Sequence, residues 1–401
     1  MVMATISENL QILKNSTDAI KQAIIDKGCT IEGDITTWAS AISGISGGGG
    51  NVSTNSFARL IEIGYTNEEI KSIENQFYDD LEYSKALLDA WDVNNESADY
   101  YYSANYWVKH MPLIDTSNVT SMNGMFSGCS SLVSIPQLDT SNVEYMDEMF
   151  SYCTALTTIS QLNTSKVTSM YAMFRNVVEA VGPMSLVDNY KDYNTGPALT
   201  TIPQFDTSNV VNMEAMFEGC TALTTIPQLD TSNVEYMDLM FNGCTSLTTI
   251  PQLDTSNVVG MSSMFNGCTS LTTIPQLDTS KVEDMFFMFQ NCISLEHITS
   301  IDMSSVEYTN YIFSSCDALV FVLIKNIGKS SATTFDLSGA NNWGTGSNEN
   351  RQSLIDSLIT YSYDRSSNGL PSATIKLSST TKDLLTEAEI AQITAKGFTI
   401  S

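Results

Sequence analysis

The sequence predicts an α/β solenoid built from 24-residue strand–helix repeats, and three observations carry that expectation. The word Asp-Thr-Ser opens at Asp115, Asp139, Asp206, Asp230, Asp254 and Asp278, with degenerate copies at Asn163 and Asp302. The spacing is 24 residues except between Asn163 and Asp206, where a 43-residue interval holds one unit plus a 19-residue insertion within 175–198. Inside each unit a β-branched stretch gives way to apolar residues at helical spacing. A fixed period of this length marks a stack in which each unit buries its apolar face against its neighbours.

One unit shows the reasoning. Leu223–Ile226 is apolar and β-branched and reads as a short strand, which Pro227 bends or ends because it lacks an N–H donor. Val234, Met237, Met240, Phe241 and Cys244 then fall on one helical face. Ser232 with Glu235 three residues on reads as a capping box, repeated as Ser141/Glu144 and Ser280/Glu283. Gly243 sits where such a helix would stop, as do Gly128, Gly219 and Gly267. Eight helical halves open near Ser117, Ser141, Ser165, Ser208, Ser232, Ser256, Ser280 and Ser304. At about 4.8 Å per stacked strand they make a rod on the order of 40 Å.

Composition narrows the function. The 401 residues carry 18 Lys and Arg against 45 Asp and Glu, a formal net charge of −27. That argues against sequence-independent nucleic-acid binding, which needs a basic footprint, and against an anionic membrane surface as partner. No stretch approaches the roughly 18 apolar residues of a membrane span. The N-terminal MVMATISENLQILKNSTDAIKQ lacks a basic segment followed by an apolar one, so it does not read as a secretory signal. Only two histidines occur, His110 and His297, which makes His-based chemistry an unpromising expectation.

The run L-x-x-I-P-x-L-D-T-S-N-V-x-x-M-x-x-M-F-x-x-C resembles the BspA-type leucine-rich repeat of bacterial and bacteriophage surface proteins, over about 108–326. The resemblance implies a leucine-rich-repeat solenoid used for adhesion or recognition, without catalytic residues. The insertion, and Val177 where other units carry Cys, depart from the pattern.

The flanks add further expectations. Residues 1–46 read as a helical attachment segment, with Ile6, Leu10, Leu13, Ile20 and Ile24 at helical spacing. That segment looks like those of phage tail-associated structural proteins. A Gly-rich linker follows at 47–52. Residues 53–107 read as a helical, acidic N-terminal cap over the exposed end of the stack. Their aromatic run Tyr100, Tyr101, Tyr102, Tyr106, Trp107 either packs on the first coil or stacks on a glycan. From 327 to 401 the sequence reads as an α/β cap of longer coils. Its strands are expected at Phe335–Leu337, Ala373–Leu377 and Phe398–Ile400, and its helices at Glu349–Tyr361 and Glu387–Lys396.

Four repeated columns are candidates for chemistry. Cys220, Cys244 and Cys268, in register with Cys129, Cys153, Cys292 and Cys316, read as core residues, as do Met237 and Phe241. No C-x-x-C pair occurs, and reduced cysteines fit cytoplasmic assembly. The Asp column either caps its own turns or binds calcium, with Asp139, Asp230, Asp254 and Asp278 as the ligands in the second case. Thr224, Thr248 and Thr272 with Gln228, Gln252 and Gln276 form either a recognition surface or plain polar filling of a β face. Tyr190 and Tyr193, in the insertion, are candidates for specificity because long loops carry function.

The functional expectation is therefore non-enzymatic, with no cofactor and no catalytic residues. It is a bacteriophage virion protein, in a tail or head fibre, attached to other virion proteins through residues 1–46 and displaying the solenoid to a host surface protein or polysaccharide. The alternative is a BspA-like adhesin on a bacterial cell surface. Homo-oligomerisation is compatible with both.

Overall fold

The structure is a computed structural model that describes residues 92, 94–103, 114–135, 137–176, 178–179, 191–192 and 199–401, with the backbone alone at 178–179 and 191–192. The attachment segment, the linker, most of the expected N-terminal cap, Val177, Tyr190 and Tyr193 lie outside the described residues.

The repeats stack as coils in parallel. One column of parallel pairings runs Ser97, Ser121, Tyr145, Ser169, Asn212, Tyr236, Gly260, Asp284, Tyr308. The step from Ser169 to Asn212 crosses the insertion without breaking the column. Strands β1 (Val178–Glu179) and β2 (Lys191–Asp192) pair antiparallel as the arms of that insertion. The stack begins before residue 108, because Ser97 already pairs with Ser121 and Tyr102 stacks on Phe126.

The capped helix expected in each unit does not form. The N–H groups of Met237, Leu239, Phe241 and Gly243 donate to the carbonyls of Gly260, Ser262, Met264 and Asn266 in the next coil, at 3.1, 2.9, 2.9 and 2.7 Å. The intervening N–H groups of Met240, Asn242 and Cys244 turn back three residues, to Met237, Leu239 and Phe241. Alternate amides thus bond along the stack and within the coil, whereas a helix would engage each one locally. Leu239 and Gly243 adopt left-handed backbone at φ 59° and 74°, which a right-handed helix forbids. The same two positions are left-handed in most coils, as Ala215, Ser263 and Phe287 and as Gly219, Gly267 and Asn291 show.

The inward spacing survives because consecutive turns also return every third or fourth side chain to the interior. Val234, Met237, Met240, Phe241 and Cys244 are all fully buried. Isolated helices of this length are marginal in water, and pairing to neighbours on both sides replaces their internal bonds. The expected strand at Leu223–Ile226 is reduced as well. Its inter-coil backbone bonds are the Thr224 N–H donating to the Thr200 carbonyl at 3.2 Å and the Thr224 carbonyl accepting from the Thr248 N–H at 3.4 Å.

The core is a set of columns. Tyr102, Phe126, Phe150, Phe174, Phe217, Phe241, Phe265, Phe289 and Phe313 form a continuous ring stack, with near-parallel rings 5.3–5.9 Å apart. Beside them each described Cys Sγ donates to the ring residue's carbonyl in the preceding coil, as Cys129 does to Tyr102 at 2.9 Å, Cys244 to Phe217 at 3.2 Å and Cys268 to Phe241 at 3.1 Å. Cys220, Cys244 and Cys268 are fully buried, and burial pushes their thiols well above the ordinary range. Protonated and enclosed, they pack as small apolar groups and are poor nucleophiles.

Regular elements return toward the C-terminus. Strands β3 (His297–Asp302) and β4 (Phe321–Lys325) pair in parallel. A second parallel sheet contains β5 (Thr334–Asp336), β6 (Ala373–Lys376) and β7 (Phe398–Ile400) in that order. Helix α1 (Asn348–Ile355) starts at Ser347, whose side chain accepts from the Asn350 N–H, and continues as a π-turn over Asp356–Thr360. A short α2 (Ser379–Lys382) precedes α3 (Glu387–Ala395), which opens with a full capping box of Thr386 and Glu389. Each element of the expected C-terminal cap is present to within a residue or two, α1 and its π-turn together covering the first expected helix. Trp343 fills the centre of this part and donates through Nε1 to the Val322 carbonyl at 3.0 Å. Among the described residues no helix is long and apolar enough to cross a membrane.

Candidate functional site

The word D-T-S-N gives each of its residues a recurring hydrogen-bonding role. Asp Oδ1 accepts the N–H of the Ser two residues on, at 3.1 Å for Asp230 and 3.0 Å for Asp254 and Asp278. The Ser232 and Ser280 hydroxyls donate to the same oxygens at 2.7 Å. The buried Thr donates to the Asp carbonyl of the next coil, at 2.8 Å from both Thr231 and Thr255. The Asn amide reaches back to the Ser carbonyl of the preceding coil, at 2.7 Å from Asn233 and 2.8 Å from Asn257. Ser232 is therefore the donor of an Asx-type turn and not a helix cap, and the Glu235 N–H donates to the Val211 carbonyl at 2.9 Å.

These bonds shape the electrostatics. The Ser208 hydroxyl and N–H hold the Asp206 carboxyl below the usual carboxylate range, as Ser256 does for Asp254 and Ser280 for Asp278. For Asp278 the nearby Asp254 charge opposes that shift and Lys281 assists it. Asp139 makes the same turn, accepting from the Ser141 N–H at 3.0 Å. Among the described residues, no group of three or more His, Cys, Asp or Glu is gathered to hold a metal ion.

The corners carrying Gln and Asp line an open groove of about 840 Å³ along successive coils. Gln228, Gln252 and Gln276 are exposed in it, together with Asp230, Asp254 and Asp278. A second stretch of about 560 Å³ runs from Gln137 to Asp206 on the same register. Thr224, Thr248 and Thr272 are exposed but do not line the groove. The Thr224 and Thr248 hydroxyls instead meet the Thr200 and Thr224 carbonyls of preceding coils at 3.3 and 3.5 Å. Sequence reasoning thus grouped two columns that the structure separates. It also missed the buried Thr column of D-T-S, although that Thr was visible in seven of the eight units, Met303 replacing it in the last.

The insertion has a clamped base. Arg175 Nε meets Glu218 Oε2 at 2.8 Å, and Asn242 donates to the other Glu218 oxygen at 3.1 Å. Glu218 is buried, and the Glu218 charge raises the Arg175 guanidinium pKa against the opposing effect of its burial.

Against known proteins, the model of the family described as "Mycoplasma protein of unknown function, DUF285" matches residues 97–200, 184–273 and 248–329. No curated protein matches the chain. Among solved structures, a leucine-rich cell surface protein from Faecalibacterium prausnitzii is 20% identical, with 64% of this chain and 78% of that one covered, at a TM-score of 0.32. The functional domain of InlJ from Listeria monocytogenes, described as including a cysteine ladder, is 13% identical over 68% of this chain and 69% of its own, at 0.26. A leucine-rich-repeat protein from Eubacterium ventriosum is 14% identical over 60% and 86%, at 0.18.

Proposed function

The chain belongs to the DUF285 family, and on that premise we propose that it is a non-enzymatic, BspA-like adhesin of a bacterial cell surface that recognises a glycan through the Gln–Asp groove. The observation carrying this reading is the groove itself. The same exposed Gln and Asp recur coil after coil along one open channel, which suits a polymeric ligand with a repeat. Near-identical coils do not single out one carboxylate pair, as glycoside hydrolysis would require. A second reading, a bacteriophage tail- or head-fibre protein assembled through residues 1–46, is favoured by the helix-like spacing of apolar residues there and the Gly-rich linker that follows in the sequence. Mass spectrometry of the bacterial surface fraction beside purified phage particles separates the two. The adhesin reading expects peptides in the surface fraction; stoichiometric peptides in particles alone would replace it with the second reading.

A further inference from the structure

The groove presents hydrogen-bond acceptors that meet no donor among the described residues, and we infer that it takes an oligosaccharide of amino sugars bearing free ammonium groups. This rests on the groove being the recognition surface.

The donors of the lining are engaged within the protein. Each Gln amide has two N–H groups and one carbonyl. Gln228 Nε2 donates to the Leu229 and Gln252 carbonyls at 3.0 and 2.6 Å, and Gln252 Nε2 to the Leu253 and Gln276 carbonyls at the same distances. Because all four partners are backbone carbonyls, the amides can face them only through nitrogen. Their Oε1 atoms then have no donor among the described residues. The hydroxyls of Thr255 and Ser232 are likewise engaged, by the Asp278 carbonyl and the Asp230 carboxylate.

What remains is one carboxylate oxygen per coil, joined by the amide oxygens of Gln228 and Gln252, while at Gln276 the Ser300 hydroxyl donates to Oε1 at 3.1 Å; neither Lys nor Arg is among the described lining residues. An acidic polysaccharide meets like charge there, and a neutral one satisfies the carboxylates only with hydroxyls. An ammonium supplies both charge and several donors, and charge-assisted bonds are about twice as strong as neutral ones. The repeat also fits. Coils advance by about 4.8 Å, close to the advance of one ring in an extended 1,4-linked chain, so one sugar meets one coil. The Asp column alone would not choose a ligand; the engaged amides of the Gln column make the surface acceptor-only.

The test is titration calorimetry on the full chain with the β-1,4-glucosamine hexamer. Comparison ligands are its fully N-acetylated form, a galacturonic acid hexamer and hexalysine. The double variant Asp230→Asn/Asp254→Asn leaves the turn intact, since Asn163 already makes the same bond to Ser165 at 3.1 Å in this protein. The amine hexamer is expected to bind at low salt and to weaken as salt rises. Acetylation and the double variant are each expected to reduce affinity about tenfold or more. Equal or tighter binding of the acetylated or acidic hexamer, or of hexalysine, overturns the inference, as does a variant that binds normally. Variant-sensitive binding of neutral glycans in place of the amine form would sink the inference and leave the groove reading standing. If no hexamer binds and the variant still attaches to cells as the parent does, the groove reading itself fails.

Discussion

Replacing Thr255 by Val tests whether the buried Thr column holds the coils together. Thr255 is 2% exposed and its hydroxyl bonds twice to one residue of the next coil. It donates to the Asp278 carbonyl at 2.8 Å and accepts the Asp278 N–H at 2.7 Å. Valine keeps the shape and leaves both backbone groups open. Each such loss costs about 1–3 kcal/mol, and partial burial places the pair near the lower end, about 2–3 kcal/mol in total. Thr248→Val is the matched control. That hydroxyl is exposed and its bond is long at 3.5 Å, so the change is expected to stay within about 0.5 kcal/mol. Urea unfolding at constant slope reads both, and hydrogen exchange at the Asp278 amide localises the effect. Equal midpoints for the two variants would refute the ladder argument.

Three further outcomes follow from particular contacts. Arg175→Met removes the ion-pair partner of the buried Glu218 charge and is expected to cost about 2–4 kcal/mol, with Glu218→Leu in the same chain restoring part of it; a near-zero effect by urea unfolding would show that the pair does not clamp the insertion. Gly339→Ala places a methyl against the Phe313 backbone, which cannot swing aside, so a loss of about 1–3 kcal/mol is expected and an unchanged melting curve would contradict it. The Ser367 N–H and hydroxyl, with the Ser366 hydroxyl, lower the Asp364 carboxyl to about 2. A depressed carboxyl stabilises the folded state above its unfolded value of about 3.9 and loses that contribution as pH falls toward about 2. Carboxyl titration by NMR should show this, with Ser367→Ala moving the midpoint up; a midpoint at the ordinary value would contradict the assignment.

The sequence made the period, the solenoid, the insertion and the inward columns legible, because burial every third or fourth residue leaves a direct trace in composition. It misled on the backbone. Met237, Met240, Phe241 and Cys244 satisfy a helical face and a run of turns equally well. The deciding facts are the left-handed Leu239 and the amide bonds to the next coil, neither of which a single unit reveals. Leucine at a left-handed position is locally unfavourable and is held there by its neighbours on the stack. The C-terminal elements were legible for the opposite reason. Thr386 and Glu389 form a local capping box whose bonds do not depend on a neighbouring coil. At the groove, the Gln and Asp columns were visible as repeats, but nothing within one unit shows that Gln228 lines the groove while Thr224 lies outside it and meets the Thr200 carbonyl. The direction of each Gln amide depends on carbonyls one coil away.

The claim that the Gln–Asp groove is the recognition surface is tested most directly on a glycan array probed with three forms of the full chain. These are the parent, Asp230→Asn/Asp254→Asn/Asp278→Asn, and Glu144→Gln/Glu235→Gln/Glu283→Gln, which removes the same number of charges outside the groove. The parent and the Glu variant are expected to give the same glycan signals, and the Asp variant to lose them. A blank array for the parent, or signals retained by the Asp variant and lost by the Glu variant, would contradict it.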